Sequence, residues 1–212
     1  MPAPSPPAAA SSENGAPPPV RHHCAAGILA GGAGRRFGAA DKGWLQFRGC
    51  SFVEGVLHAI RPQVDEVLIS ANRSLERYRA LGCSVVTDAL PAGPLAGVVS
   101  LLRAVEHRHE WLLVVPCDAV LLPADWAQRF LACAASTGAQ AVVLHDGARM
   151  HPTFCLLRTR LAGDAEAWLR AGNSALHRWI GSLDARMLDT DVPPNVNTPG
   201  ELAALESSHT PT

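Results

Sequence analysis

Gly27-Ile28-Leu29-Ala30-Gly31-Gly32-Ala33-Gly34-Arg35-Arg36-Phe37-Gly38-Ala39-Ala40-Asp41-Lys42-Gly43 is the stretch on which the reading of this chain turns. The apolar run that leads into it, 24–29, has the composition of a buried parallel strand, and the glycine-dense loop behind it carries Arg35, Arg36 and Lys42. Glycines have no Cβ, so backbone N–H groups can approach phosphate oxygens closely, while the cations supply charge that amides alone lack. The loop therefore predicts a nucleotide or another phosphate ester as ligand.

Two familiar phosphate loops are excluded by spacing. A Walker A loop needs a Gly-Lys-Ser/Thr ending, whereas Lys42 here follows Asp41 and precedes Gly43. A dinucleotide fingerprint that began at Gly32 and Gly34 would need a glycine at 37, where the chain has Phe37.

Outward from the loop, strand and helix alternate. Ser51-Phe52-Val53-Glu54 reads as a capping box, with Phe52, Val53, Val56, Leu57 and Ile60 at helical spacing behind it and a stop near Pro62. A strand over 66–70 ends before Asn72, a short helix over 75–81 is closed by Gly82, and a strand over 84–86 ends before Asp88. Gly93-Pro94 opens a helix over 95–105, and an unalternating apolar strand over 111–115 ends before Asp118. This order predicts a single-domain α/β protein with a Rossmann-like, doubly wound, mostly parallel sheet, whose ligands sit outside the carboxyl ends of the strands. The glycine loop, Asn72, Asp88 and Asp118 each follow a different strand, so one rim should collect them.

The second half is less regular. Helices are expected over 124–135, 161–171 and 175–180, with strands over 141–144, 153–157 and 186–188 laid beside the parallel core as a mixed half. Thr198-Pro199-Gly200-Glu201 reads as a second capping box that starts the last helix. The domain is expected over 23–206, between a disordered Pro/Ala/Ser-rich tail, 1–22, and a flexible end, 207–212.

Composition narrows the function classes. With 212 residues, 48% of them hydrophobic, and a formal net charge of −1, the chain can bury one sizeable core and has no global charge bias. That argues against a nucleic-acid or anionic-membrane surface and leaves any anion site local. No stretch reaches the ~20 apolar residues of a spanning helix, and the tail lacks the apolar core of a signal peptide. The six cysteines are scattered without a C-x-x-C pair, as expected of reduced core residues in a cytoplasmic protein. Cys117 has no base partner at any suggestive spacing, so it reads as a buried small hydrophobe. His22-His23-Cys24 cannot easily converge on one ion, and His107 and His109 read as solvated or as partners of a helix carbonyl end.

The loop's pattern L-A-G-G-x-x-x-R-x-x-G-x-x-D-K-G resembles that of the nucleotidyltransferases acting on sugar 1-phosphates and molybdopterin, and within them it is most similar to the molybdenum cofactor guanylyltransferase family. Gly93-Pro94-Leu95-Ala96-Gly97, Pro116-Cys117-Asp118, His151-Pro152-Thr153 and Asn195-Val196-Asn197-Thr198-Pro199 follow in that family's order, so the likeness runs over about 25–205. It implies transfer of GMP from GTP to molybdenum-molybdopterin with release of diphosphate, and Mg²⁺ as cofactor. Asp118 would hold the metal and contact GTP, and Lys42 with Arg36 would face the triphosphate. Leu29, Ala30 and Gly31 would meet the nucleoside through backbone groups, and Asn72 with Asp88 would fix base and ribose. Gly31 favours guanine, because relatives that use CTP tend to carry alanine there. His151, Asn195 and Asn197 would lie on the acceptor side. Implied partners are GTP, molybdenum-molybdopterin, other molybdenum cofactor biosynthesis proteins and apo-molybdoenzymes.

Each of these residues also has an ordinary reading. A strand-end Asp is commonly a turn or cap residue, Asn72 and Asp88 could be a turn and a cap, and asparagines before a helix usually cap it. His151-Pro152-Thr153 alone is a turn into a strand. A cytidylyltransferase or sugar-phosphate nucleotidyltransferase on the same fold, and a nonenzymatic cofactor carrier, are the alternatives. The chain departs from the family pattern at Ala39, where a glycine is expected, and at Val120, where a proline is expected, so altered turns are anticipated there.

Overall fold

The computed structural model describes residues 23–31, 41–88, 93–196 and 198–208. The tail 1–22, Arg35, Arg36, Ala39 and Asn197 lie outside the described residues. β1 (Cys24–Leu29), β4 (Glu66–Ser70), β5 (Ser84–Val86) and β6 (Trp111–Pro116) run parallel, and β8 (Met150–Arg158), β7 (Ala141–His145) and β9 (Arg186–Asp189) extend the sheet to seven strands in the order β5-β4-β1-β6-β8-β7-β9. Only β8 runs against its neighbours, pairing Trp111 with Arg158 and Val114 with Cys155 on one side and Ala141 with Leu157 on the other. The expected mostly parallel sheet with a mixed second half is therefore present.

The central strands are apolar without alternation because each face has its own core. Ala26, Ile28, Leu113, Val115, Val142 and Leu144 point toward α1 (Phe52–Ile60) and α4 (Trp126–Thr137). Their neighbours Ala25, Leu112, Val114 and Val143 point toward α3 (Pro94–Val105), α5 (Ala162–Arg170) and α6 (Leu176–Ser182). Successive side chains of a strand point to opposite faces, so a strand covered twice must be apolar at every position. α1 starts as its capping box requires: the Ser51 N–H donates to Glu54 Oε2 at 2.9 Å. α3 starts on Pro94 after Gly93, whose φ of 70° suits glycine.

Several local features differ from the sequence expectation. A two-stranded hairpin, β2 (Gln46–Phe47) with β3 (Cys50–Ser51), precedes α1, its turn made by Arg48 and Gly49 at φ 49° and 82°. β8 begins at Met150, so His151-Pro152 lies within a strand instead of a turn; the pairing with β7 jumps from Val143↔Cys155 to Leu144↔His151. Pro152 has no N–H for the ladder, which accounts for the interruption. His109 turns from the helix end to place Nε2 2.9 Å from Glu66. Val120 is not merely in an altered turn: it is buried with Phe47, Phe52 and Val196, and it is Leu121 that takes φ 64°. α7 (Pro199–Ser208) opens with the Glu201 N–H donating to Thr198 Oγ1 at 3.2 Å, and its end carries Ser207 and Ser208 of the stretch read above as a flexible end. No described helix is long and apolar enough to cross a membrane.

Candidate active site

Parallel order sends the carboxyl ends of β5, β4, β1 and β6 to one rim, and with them Asp88, Asn72, Gly31 and Asp118. β8, being antiparallel, brings its first residues, His151 among them, to the same rim. β7 and β9 end there with His145 and Asp189. Asp88 follows β5 and Asp118 follows β6, with β4 and β1 between those strands, so the two carboxylates belong to different parts of the rim.

One end of the rim is a rigid polar plate. Asn72 Nδ2 donates to Asp88 Oδ2 at 2.8 Å, the Asp88 N–H donates to Asn72 Oδ1 at 2.9 Å, and the Ser70 hydroxyl donates to Asp88 Oδ1 at 3.0 Å. Neither residue is the isolated turn or cap that it would be on its own. Gly31 faces this plate: a Cβ there would lie 3.6 Å from Asn72 Nδ2 and 3.8 Å from Asp88 Oδ2. Ala30 is fixed behind it, its N–H donating to the Ser70 carbonyl at 2.8 Å, and Leu29 accepts from the Cys117 N–H at 3.0 Å. Gly97, which closes the second motif, lets α3 press on the plate, since a Cβ there would meet Ser70 Oγ at 2.7 Å and Leu29 Cδ2 at 2.9 Å.

The other end is charged. Lys42 Nζ donates to Asp118 Oδ2 in an ion pair largely withdrawn from solvent, the Asp118 side chain being only 7% exposed. Burial pushes the Asp118 carboxyl above the ordinary aspartate range, and the hydrogen bond and charge of Lys42 pull it partly back. Glu201 of α7 adds a further upward push. The neighbouring Cys117 thiol is driven well above its usual value, by burial first and by the Asp118 charge second, which removes it as a nucleophile and agrees with the small buried hydrophobe expected.

Between the ends, the Asp41-Lys42-Gly43 motif folds into a short 3-10 turn, Lys42–Trp44, capped by Asp41. The Tyr78 hydroxyl, delivered by α2 (Leu75–Arg79), donates to Asp41 Oδ1 at 2.6 Å. On the acceptor side, Asn195 bridges Ala119, and the Val196 N–H reaches the Asp118 carbonyl at 3.4 Å, so Asn195 sits beside the charged end. His151 Nε2 stands 2.7 Å from Asp146 Oδ2, and Asp146 in turn accepts the N–H groups of Ala148 and Arg149.

Of the residues singled out in the sequence, the structure brings Gly31, Asn72 and Asp88 together at one part of the rim and Lys42, Asp118 and Asn195 at another, while His151, at the same rim, pairs with Asp146. Sequence reasoning missed Ser70, Tyr78 and Asp146, which hold other residues and carry no motif of their own, and it quoted Gly97 in a motif without seeing its packing against Ser70. The single signal available was that Tyr78 is the chain's one tyrosine.

Comparison with known proteins agrees with this geometry. Residues 26–187 match the MobA-like NTP transferase domain. A protein of Shewanella loihica named molybdenum cofactor guanylyltransferase is 36% identical over 187 residues, covering 85% of this chain and 94% of its own. The solved structure of molybdopterin-guanine dinucleotide biosynthesis protein A from Archaeoglobus fulgidus superposes with a TM-score of 0.72 at 18% identity, covering 87% of this chain and 97% of that one. The 2-C-methyl-D-erythritol 4-phosphate cytidylyltransferase of Thermus thermophilus shares the fold, with a TM-score of 0.66 at 19% identity over 86% of this chain and 96% of that one. The order of the motifs, the rim they build and the extent of these matches agree: the chain belongs to the MobA-like NTP transferase family, together with the molybdenum cofactor guanylyltransferases.

Proposed function

We propose that the protein transfers GMP from GTP to the terminal phosphate of molybdenum-molybdopterin, forming the guanine dinucleotide cofactor and releasing diphosphate. The observation that carries this reading is the rim itself, with a hydrogen-bonding plate at Asn72–Asp88 facing Gly31 and, on the same rim, the Lys42–Asp118 ion pair. A base and ribose suit the plate; a triphosphate suits the charged end.

In the reaction an acceptor phosphate oxygen attacks the α-phosphorus in line, the bond to the β-phosphate oxygen breaks, and the electron pair leaves with pyrophosphate. A phosphate monoester has its second pKa at about 6 and is largely dianionic at neutral pH, so the acceptor brings its own nucleophile. The protein's part is positioning and charge. Lys42 offsets negative charge that builds on the phosphate oxygens. The carboxylate of Asp88, locked by Ser70 and Asn72, is a fixed acceptor for nucleoside hydroxyl or amino groups, and the backbone at Gly31 allows the nucleoside to approach. Asn195, beside Asp118, and His151, at the rim end of β8, are the residues assigned to the acceptor.

Mg²⁺ fits the donor set: it prefers one or two carboxylates completed by phosphates and water, and no group of three or more His, Cys, Asp or Glu gathers among the described residues. Asp118 would hold it, and when bound it would neutralise charge on the triphosphate and the leaving pyrophosphate. Arg36, outside the described residues, is proposed as a second triphosphate cation. The free thiols of all six cysteines suit a cytoplasmic enzyme.

The test is pyrophosphate release with each of the four nucleoside triphosphates, with and without molybdopterin. Release with GTP that depends on molybdopterin is expected. A preference for CTP would give the chain to the cytidylyl branch of the fold, and nucleotide binding without release would make it a carrier.

A further inference from the structure

We propose that Tyr78 is a positioning residue for Lys42, acting through Asp41. The proposal rests on the guanylyl-transfer reading above and deepens it by naming what holds the triphosphate cation in place.

The observation is a bracket around Lys42. Asp41 Oδ1 accepts the Tyr78 hydroxyl at 2.6 Å and also the Gly43 N–H at 3.3 Å, so the residues before and after Lys42 are tied to one oxygen. Asp41 Oδ2 is buried with no hydrogen-bond partner among the described residues, and Oδ1 carries the anchoring contacts. Tyr78 is fully buried and cannot readily turn aside. Its ring packs against Trp44 at 5.0 Å between centroids, and the Arg77 guanidinium lies 3.8 Å over the Trp44 ring. Ring, indole and guanidinium form a stack that presses α2 onto the turn carrying Lys42.

Gly43 shows that the hydroxyl belongs there. A Cβ at that position would lie 2.4 Å from Tyr78 Oη, so the motif's glycine is what gives the phenol access to Asp41. Burial, reinforced by Asp41, holds the phenol protonated far above its ordinary range, so that it is always a donor. A lysine side chain is long and loses much rotamer freedom when fixed; a rigid backbone beneath it reduces what must be ordered when the triphosphate arrives. Tyr78 touches neither Asp118 nor, on this account, the substrate.

The experiment compares wild type, Tyr78→Phe, Lys42→Ala and the double variant in GTP- and molybdopterin-dependent pyrophosphate release. Tyr78→Phe keeps the stack with Trp44 and removes only the hydroxyl. It is expected to lower kcat by about tenfold to a hundredfold with a much smaller change in KM for GTP, and to have no further effect in the Lys42→Ala background. An unchanged kcat, or an equal loss in both backgrounds, overturns the proposal and leaves the reaction standing. Absence of pyrophosphate from wild type would instead sink the reaction, and a readout without turnover then decides the bracket. Because the chain has one tyrosine, 3-fluorotyrosine incorporation gives a single fluorine resonance. That resonance should shift when magnesium tripolyphosphate is added to wild type and stay in place in Lys42→Ala. A resonance indifferent to tripolyphosphate in wild type overturns the proposal, whether or not Tyr78→Phe folds.

Discussion

Gly97→Ala separates the helix's interest from the site's. In a helix interior the change from glycine to alanine contributes ~1 kcal/mol of stability through propensity alone. Here the new methyl would stand 2.7 Å from Ser70 Oγ and 2.9 Å from Leu29 Cδ2, distances that force something to move. Overpacking of this kind costs ~1–3 kcal/mol, so the net effect on stability is a loss of roughly 0–2 kcal/mol, or a fall in Tm of up to about 8 °C for a domain of this size. The Leu29 methyl can rotate at little cost. Ser70 can move only by giving up its hydrogen bond to Asp88 Oδ1, and a bond to a charged group is worth ~1.5–3 kcal/mol. Asn72 still holds the other carboxylate oxygen, so we take the lower figure and expect KM for GTP to rise by roughly tenfold. Thermal unfolding and initial-rate assays of wild type, Gly97→Ala, Ser70→Ala and the double variant give the answer. The double variant should lose no more than Ser70→Ala alone, since the clash and the bond vanish together. A Tm raised by the full propensity gain with KM unchanged would refute the packing argument.

Other predictions concern single contacts. Gly31→Ala should fold normally, because its Cβ would make only ordinary contacts of 3.6 and 3.8 Å with Asn72 and Asp88, yet it should weaken GTP relative to CTP in a nucleotide competition assay; an unchanged ratio would remove Gly31 from base selection. Lys42→Ala should lower kcat by about 10²–10³, the worth of one preorganised charge donor, and a loss below about fivefold would show that Lys42 does not meet the transition state. Asp146 is held far below the usual carboxylate range, first by the His151 hydrogen bond and then by the N–H groups of Arg149 and Ala148. A depressed folded value gives stability that is present above the unfolded pKa of about 3.9 and is lost as pH falls through the folded one. Wild type should therefore lose Tm more steeply than Asp146→Asn below about pH 4, and parallel curves would count against the pair.

The legible part of the fold was the part written locally. β4, β5 and β6 are short runs that end just before Asn72, Asp88 and Asp118, and each of these is a rim position because parallel strands all end on one side. The Ser51–Glu54 box and the Gly93-Pro94 start likewise act within a few residues of themselves. What the sequence hid was contact across the chain. The Tyr78 hydroxyl meets an aspartate 37 residues away, and Lys42 meets one 76 residues away. The motif placed Lys42 near a phosphate but could not say that Asp118 would be its partner. Asp41 was visible as part of the motif without a role, since its role depends on a tyrosine from another element. The β2–β3 hairpin was missed because strands of two residues have no period to detect, and the start of β8 because Pro152 reads as a turn when its neighbours are unknown. Val120, where a proline was expected, makes sense only beside Phe47, Phe52 and Val196, which come from distant parts of the chain.

Asp118, beside Lys42 on the rim, is the residue proposed to hold the metal that serves the triphosphate. The most direct measurement is pyrophosphate release from magnesium GTP in the presence of molybdopterin by wild type and by Asp118→Ala of equal circular dichroism. Turnover in wild type and a loss of at least about 10²-fold in the variant is the predicted result. Undiminished turnover in Asp118→Ala would contradict it.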